Sequence, residues 1–230
     1  MNDEEIRYTV SFNRIAPPPD VERMDFEEAE QALADRLSAE RSVEALNDLL
    51  WLYKTTGCED RARACLQVLL EDEGNLEMRA LYHVYAGQSY ERTEEYDEAI
   101  EQYRAAMALE PSAPFSAYYL HNNLGYCLNL KEQYEDGERL CRMAIRVDPS
   151  RPNAHKNLGI SLAALGQLRL AADAWIAATR ANAADDRALG LLEAMLADRP
   201  GLLETYPELR AQIADCQKAV AFARDVMSDA

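Results

Sequence analysis

Self-similarity constrains this chain more than any local motif does. Gly87, Gly125 and Gly159 each open a Gly-x-x-aromatic/Leu segment, at spacings of 38 and 34 residues. The same offsets recur for Tyr96, Tyr134 and Leu168, for Tyr103, Cys141 and Trp175, and for Ala106, Ala144 and Ala178. Pro111 and Pro149 close the first two units at matching places, and Ala183 stands there in the third. Five columns fall into one register, which chance alignment does not produce. The first spacing exceeds the second by four residues, expected as a longer loop in Pro114–Ala117, where extra length costs little.

Each unit reads as a pair of helices. Apolar residues recur at helical spacing, as at Leu124 and Leu128 and then Leu140, Ala144 and Val147. Turn residues divide the pair: Lys131-Glu132-Gln133 in one unit, Leu165-Gly166-Gln167 in the next. A glycine inside a helix costs about 1 kcal/mol relative to alanine, so its return at one register marks close helix packing. Ala99, Gly137 and Ala171 are the small residues expected to meet these glycines.

This pattern resembles the tetratricopeptide repeat, a 34-residue helix–turn–helix with Leu-Gly, aromatic, Ala and Pro residues at fixed offsets. Residues 80–113 match through Gly87, Tyr90, Tyr96, Ala99, Tyr103, Ala106 and Pro111. Residues 118–151 and 152–185 follow, with Asn123-Leu124-Gly125 and Asn157-Leu158-Gly159. Residues 43–76 fit more loosely through Leu46, Leu49, Tyr53, Gly57, Ala62, Leu66 and Leu69, with Leu50 in place of the small residue. The resemblance implies an all-α fold, a right-handed α-solenoid of helix-turn-helix units. Residues 25–41 and 186–230 read as terminal capping helices, which such a stack needs to cover its outermost apolar faces. Residues 1–24 form a separate extended or disordered segment, and the last two residues are expected to fray.

Composition removes whole classes of function. The 230 residues are 48% hydrophobic and 28% charged, an ordinary globular mix. A net charge of −17 repels phosphate backbones, which excludes nucleic acid as the main partner. The charge is uneven: residues 1–117 carry 26 acids against 11 bases, residues 118–185 carry 7 against 8, and residues 186–230 carry 8 against 5. No apolar run approaches the roughly 20 residues that span a bilayer, so no membrane insertion is expected. The acidic opening MNDEEIRYTV lacks the apolar stretch of a secretory signal. Five scattered cysteines without paired spacing read as reduced thiols. Together these point to a cytoplasmic protein.

Catalytic signatures are missing: no phosphate-binding loop, nucleophile elbow or HExxH string occurs. His83, His121 and His155 each stand four residues before a repeat glycine. Helices 8–10 Å apart do not bring such a ladder onto one ion, so the histidines read as packing residues, and neither metal nor cofactor is expected. The acidic runs near the turns read as solvated surface. The chain is therefore expected not to be an enzyme.

Recognition then falls to the first helix of each unit. Tyr119, Asn122, Tyr126 and Asn129, spaced three, four and three, share a face apart from the inward His121, Leu124 and Leu128. That face is expected to be open to solvent in the free protein. The family resemblance implies that it lines a concave groove for a protein or peptide partner. Carried over unit by unit, the groove takes Asn47, Trp51 and Lys54; Val84, Gln88 and Glu91; Asn122, Tyr126 and Asn129; and Asn153, Lys156 and Ile160, with Tyr119, Asn123 and Asn157 bordering it. A side-chain amide both donates and accepts, so asparagines suit an extended peptide of any sequence, while Trp51, Tyr119 and Tyr126 add apolar anchors and Lys156 a cation for a carboxylate. The carboxylate clamp of some family members is matched only at Asn123. The expected function is a non-catalytic adaptor that binds a peptide or helix of a partner. Two alternatives stand beside it: a cytoplasmic chaperone of a secreted substrate, resembling the acidic type III export class, and a self-associating assembly scaffold.

One stretch departs from helical periodicity. Ile6, Tyr8, Val10 and Phe12 alternate with Arg7, Thr9, Ser11 and Asn13, and Pro17-Pro18-Pro19 then imposes an extended link. Three fates are open to it: disorder, strand pairing between two copies to make a homodimer, or docking along the repeats.

Overall fold

The computed structural model describes Pro18 and residues 21–228. The alternating segment Ile6–Asn13 and the terminal pair Asp229-Ala230 lie outside the described residues. Within them the chain is all helix: α1 (Phe26–Glu40), α2 (Val43–Thr56), α3 (Glu59–Asp72), α4 (Leu76–Arg92), α5 (Tyr96–Ala108), α6 (Pro114–Leu130), α7 (Tyr134–Val147), α8 (Pro152–Ala164), α9 (Leu168–Ala181), α10 (Arg187–Asp198), the single turn α11 (Leu202–Thr205) and α12 (Leu209–Ser228). Sequence neighbours pack on one another from α1 to α10, and α12 folds back onto α9. The result is a solenoid.

Helix starts follow from local chemistry. Asp25 caps α1 by accepting from the Glu28 amide at 3.0 Å, and Asn75 caps α4 by accepting from Glu77 at 2.9 Å and Met78 at 3.3 Å. Pro114 and Pro152 begin α6 and α8, where a missing N–H costs nothing. Pro114–Ala117 are thus the first turn of α6, not the longer loop expected from the spacing: proline at the first helical position starts the helix early.

The turn inside each helix pair is the same four times. Gly57, Glu94, Glu132 and Gly166 stand in the left-handed region, with φ of 74°, 62°, 59° and 76°. The following amide closes each helix five residues back: Cys58 to the Tyr53 carbonyl at 2.9 Å, Glu95 to Tyr90 at 2.9 Å, Gln133 to Leu128 at 2.9 Å and Gln167 to Leu162 at 2.8 Å. One backbone solution therefore sets the angle of all four pairs, even where a glutamate bears the steric cost.

Packing explains the glycine column. A Cβ on Gly87 would lie 2.5 Å from the Tyr103 ring, on Gly125 2.9 Å from Cys141 Sγ, and on Gly159 2.3 Å from Trp175 Nε1. Two columns of the repeat, the glycines and the Tyr103/Cys141/Trp175 set, are thus the two sides of one contact. The core runs along the chain in linked clusters: Leu33, Leu49, Leu66 and Tyr82 in the first, Tyr103, Leu120, Leu124 and Leu140 in the next, and Trp175, Ile176, Leu192, Leu209 and Ile213 in the last. No helix among the described residues is long and apolar enough to cross a membrane.

Candidate partner-binding face

Curvature identifies the inner side. First helices of neighbouring pairs touch directly, α4 with α6 and α6 with α8, while successive second helices are not among the closely packed pairs of described elements. The first helices therefore line the tighter, concave side.

At its α2–α4 end this face carries a cation on an aromatic ring. Lys54 Nζ lies 3.1 Å from the centroid of Tyr85, and burial lowers its pKa to about 7, with Arg92 adding to the depression and Glu59 opposing it. Burial would raise the Glu59 carboxyl, but hydrogen bonds from Arg92 and from the Ser89 hydroxyl, at 2.6 Å, carry it below its ordinary value. Asn47 donates to the Tyr82 hydroxyl at 3.4 Å, and its own Oδ1 is buried without a partner. Trp51 and Gln88 are half-buried.

The middle carries Glu91 and Tyr126. Burial raises the Glu91 carboxyl, and the Tyr103 hydroxyl donates to its Oε2 at 2.9 Å. Tyr126 is half-buried and hydrogen bonds to Tyr96. Tyr119 accepts from Arg151 Nη1 at 2.8 Å and packs its ring at a tilt against Phe115 with centroids 4.6 Å apart, and Arg151 lies across the Tyr118 and Tyr119 rings. At the far end Lys156 is half-buried; burial and the nearby Arg187 lower its pKa. Arg187 forks onto Asp185 at 2.7 and 2.5 Å and holds that carboxyl at about 2. Asn153 is exposed.

Four asparagines do something else. Asn122, Asn123, Asn129 and Asn157 are 6%, 8%, 5% and 3% exposed. Asn122 Nδ2 donates to Asn123 Oδ1 at 2.8 Å, and Asn157 Nδ2 donates to Asn122 Oδ1 at 3.1 Å. Asn129 Nδ2 donates to the Asn157 carbonyl at 2.9 Å, and Ser161 Oγ donates to Asn129 Oδ1 at 2.7 Å. These residues form a polar seam between α6 and α8. The expectation that Asn122 and Asn129 are open to solvent is therefore corrected: α8 covers them, and their amides spend their hydrogen bonds inside the fold. Val84, placed on the groove by sequence, is 0% exposed because α6 packs over it.

Three contributors went unread in the sequence. Tyr85 sits one residue beyond Val84, and Arg151 precedes the first residue of α8. Arg187 lies in the flank assigned to a cap, yet it stands 34 residues after Asn153, so the repeat period itself marks it. The histidines make separate contacts: His83 Nδ1 donates to Gln102 at 2.9 Å, His155 Nε2 donates to the Pro149 carbonyl at 2.9 Å, and burial holds His121 below its ordinary pKa. No group of three or more His, Cys, Asp or Glu side chains that could hold a metal ion occurs among the described residues.

Helix pairs stacked at a 34-residue period, with glycine set against a large or polarizable side chain at each crossing, define a tetratricopeptide-repeat fold. The tetratricopeptide repeat model matches residues 80–113 directly. No curated protein sequence matches the chain. Among solved structures it is similar to PilF of Pseudomonas aeruginosa, at a TM-score of 0.65 and 16% identity over 93% of this chain and 87% of that one. YrrB matches at 0.61 and 19% identity, over 87% of this chain and 100% of its own. A double mutant of MamA from strain RS-1 matches at 0.61 and 16%, over 77% and 95%. At such identities these likenesses establish the fold.

Proposed function

We propose that the chain is a non-catalytic adaptor whose concave face holds a peptide or helix of a partner protein in the cytoplasm. The proposed unit boundaries are 43–76, 80–113, 118–151 and 152–185, with α1 and the α10–α12 segment as caps. The contact set is Asn47, Trp51, Lys54, Gln88, Tyr119, Tyr126, Asn153 and Lys156, joined by Glu91 and Arg187, with the buried Tyr85 ring beneath Lys54. Asn122, Asn123, Asn129 and Asn157 lie beneath it as the seam that fixes its shape.

One observation carries this reading. Lys54, Glu91 and Lys156, on the first helices of three pairs, are all partly buried, and burial shifts the pKa of each toward its neutral form. Partly buried charged groups with shifted pKa values gather at functional sites as well as in structural networks. A partner that supplies hydrogen bonds there regains what burial has cost. YrrB, whose fold the chain shares, is described as a tetratricopeptide-repeat protein with an unusual peptide-binding site, which is consistent with this use of the face.

The test is capture of partners from lysate on the full chain, followed by calorimetric titration of a peptide from the partner. Tyr126→Ala and Lys156→Ala each weaken that binding about tenfold or more, as central contacts do. Unchanged affinity in the double variant, with helicity intact, removes the concave face as the site.

A further inference from the structure

The concave face carries a carboxylate that the fold leaves without a cation. Glu91 lies in the last turn of α4 and is partly buried. Its Oε2 accepts from the Tyr103 hydroxyl at 2.9 Å, the single hydrogen bond to this carboxylate among the described residues. No ion pair reaches Glu91 among those residues. The arginines whose charge acts at this corner are both committed elsewhere. Arg92 pairs with Glu59, and Arg187, which acts on Tyr126, forks onto Asp185.

The groups around Glu91 are rich in acceptors and short of donors. Tyr96, the first residue of α5, and Tyr126, on α6, are half-buried, and both feel the Glu91 charge. Tyr126 donates its proton to the Tyr96 oxygen, as Tyr103 donates its own to Glu91. A carboxylate that can accept about four hydrogen bonds therefore holds one, and the Tyr126 oxygen beside it keeps its lone pairs. The carbonyl end of α4 adds partial negative charge at the same place. What this corner lacks is a positive group with several N–H donors, which an ammonium or a guanidinium supplies on one charge. The Tyr96 and Tyr126 rings, packed on the same core cluster, offer apolar surface for the stem of such a side chain. A net charge of −17 draws a basic segment toward the protein in the first place.

We infer that Glu91, with Tyr96 and Tyr126 beside it, is a subsite for a lysine or arginine side chain of the partner peptide. This rests on the concave face being the partner-binding face, and it adds a charge order to that face. Lys54 on α2 and Lys156 on α8 suit acidic groups of the partner, while Glu91 on α4, between them, suits a basic one. Because the carboxylate is already partly out of water, a cation that reaches it gains an attraction that solvent screens weakly, and a neutral side chain of equal length gains little.

A positional-scanning library of short peptides, acetylated and amidated so that only side chains carry charge, tests this on the full chain. The expected result is one position at which Lys or Arg is preferred about tenfold or more over Met or Gln. In the selected peptide, exchanging that Arg for citrulline, or that Lys for norleucine, removes the charge at nearly constant shape. The exchange weakens binding to the native chain about tenfold and to Glu91→Gln by about twofold at most. Glu91→Gln can still accept from the Tyr103 hydroxyl, so its far-UV spectrum is unchanged, and Glu91→Lys moves the preference at that position to Asp and Glu. Peptides held by the concave face with no basic position, or with a basic preference that survives Glu91→Gln, overturn the inference and leave the adaptor reading in place. Binding that survives the Tyr126→Ala and Lys156→Ala double variant, or a library that yields no binder, overturns both.

Discussion

At the scale of single residues, the seam between α6 and α8 was the least legible part of the site. Helical spacing set Asn122 and Asn129 off from the inward leucines, but spacing places a residue on a face without saying what covers that face. Coverage by α8 depends on the angle between units, which no local pattern encodes. The consequence is measurable: Asn129→Ala strips the Asn157 carbonyl and the Ser161 hydroxyl of a partner and lowers unfolding free energy by about 1–3 kcal/mol in urea titration. A groove residue open to solvent would show almost no loss. Gly159→Ala is costlier than a lone methyl normally is, about 1–3 kcal/mol, because the Trp175 indole N–H is tied to the Lys156 carbonyl at 3.1 Å and cannot swing aside. Lys54 adds a pH dependence. Its pKa is about 7 in the fold against 10.5 as the ordinary value, so between these limits the unfolded chain holds a proton that the folded chain has released. Stability therefore rises with pH from about 7 to about 10, and Lys54→Met flattens that rise in melts taken across the range.

Whole elements were more legible, because their signals are steric and local. The glycine and large-residue columns could be aligned from sequence since both sides of one contact recur together. The repeated turn was half visible: Gly57 and Gly166 mark a left-handed residue, while Glu94 and Glu132 occupy the same conformation and give no such sign. Glu132→Gly relieves that position and raises the denaturation midpoint, by up to about 1 kcal/mol in free energy. A fall in stability would mean that the glutamate side chain compensates for its own backbone. The cap at α12 is likewise structural. Truncation after Arg199 uncovers the surface now buried by Leu209, Ile213 and Val220, at roughly 1.5–3 kcal/mol for each large side chain. The truncated chain is expected to melt at lower temperature and to aggregate in light-scattering assays.

Over the whole molecule, the closely packed pairs among the described helices are neighbours in the stack, so stability is distributed along it rather than concentrated in one core. Hydrogen exchange should accordingly respond to damage by distance: Gly159→Ala speeds exchange in α8 and α9 far more than in α2 and α3. Uniform acceleration across the chain would instead mark a single cooperative unit.

The layout of contacts also has a mechanical consequence. Because α4, α6 and α8 touch across pairs while successive second helices are not among the closely packed pairs of described elements, this part of the solenoid is bound along one edge, as pages are bound at a spine. The outer edge is free to fan open while the bound edge keeps its length. Along that edge the asparagine seam stitches α6 to α8 with directional hydrogen bonds that resist sliding. The angle between the α6 and α8 pairs is therefore expected to be the stiffest along this edge.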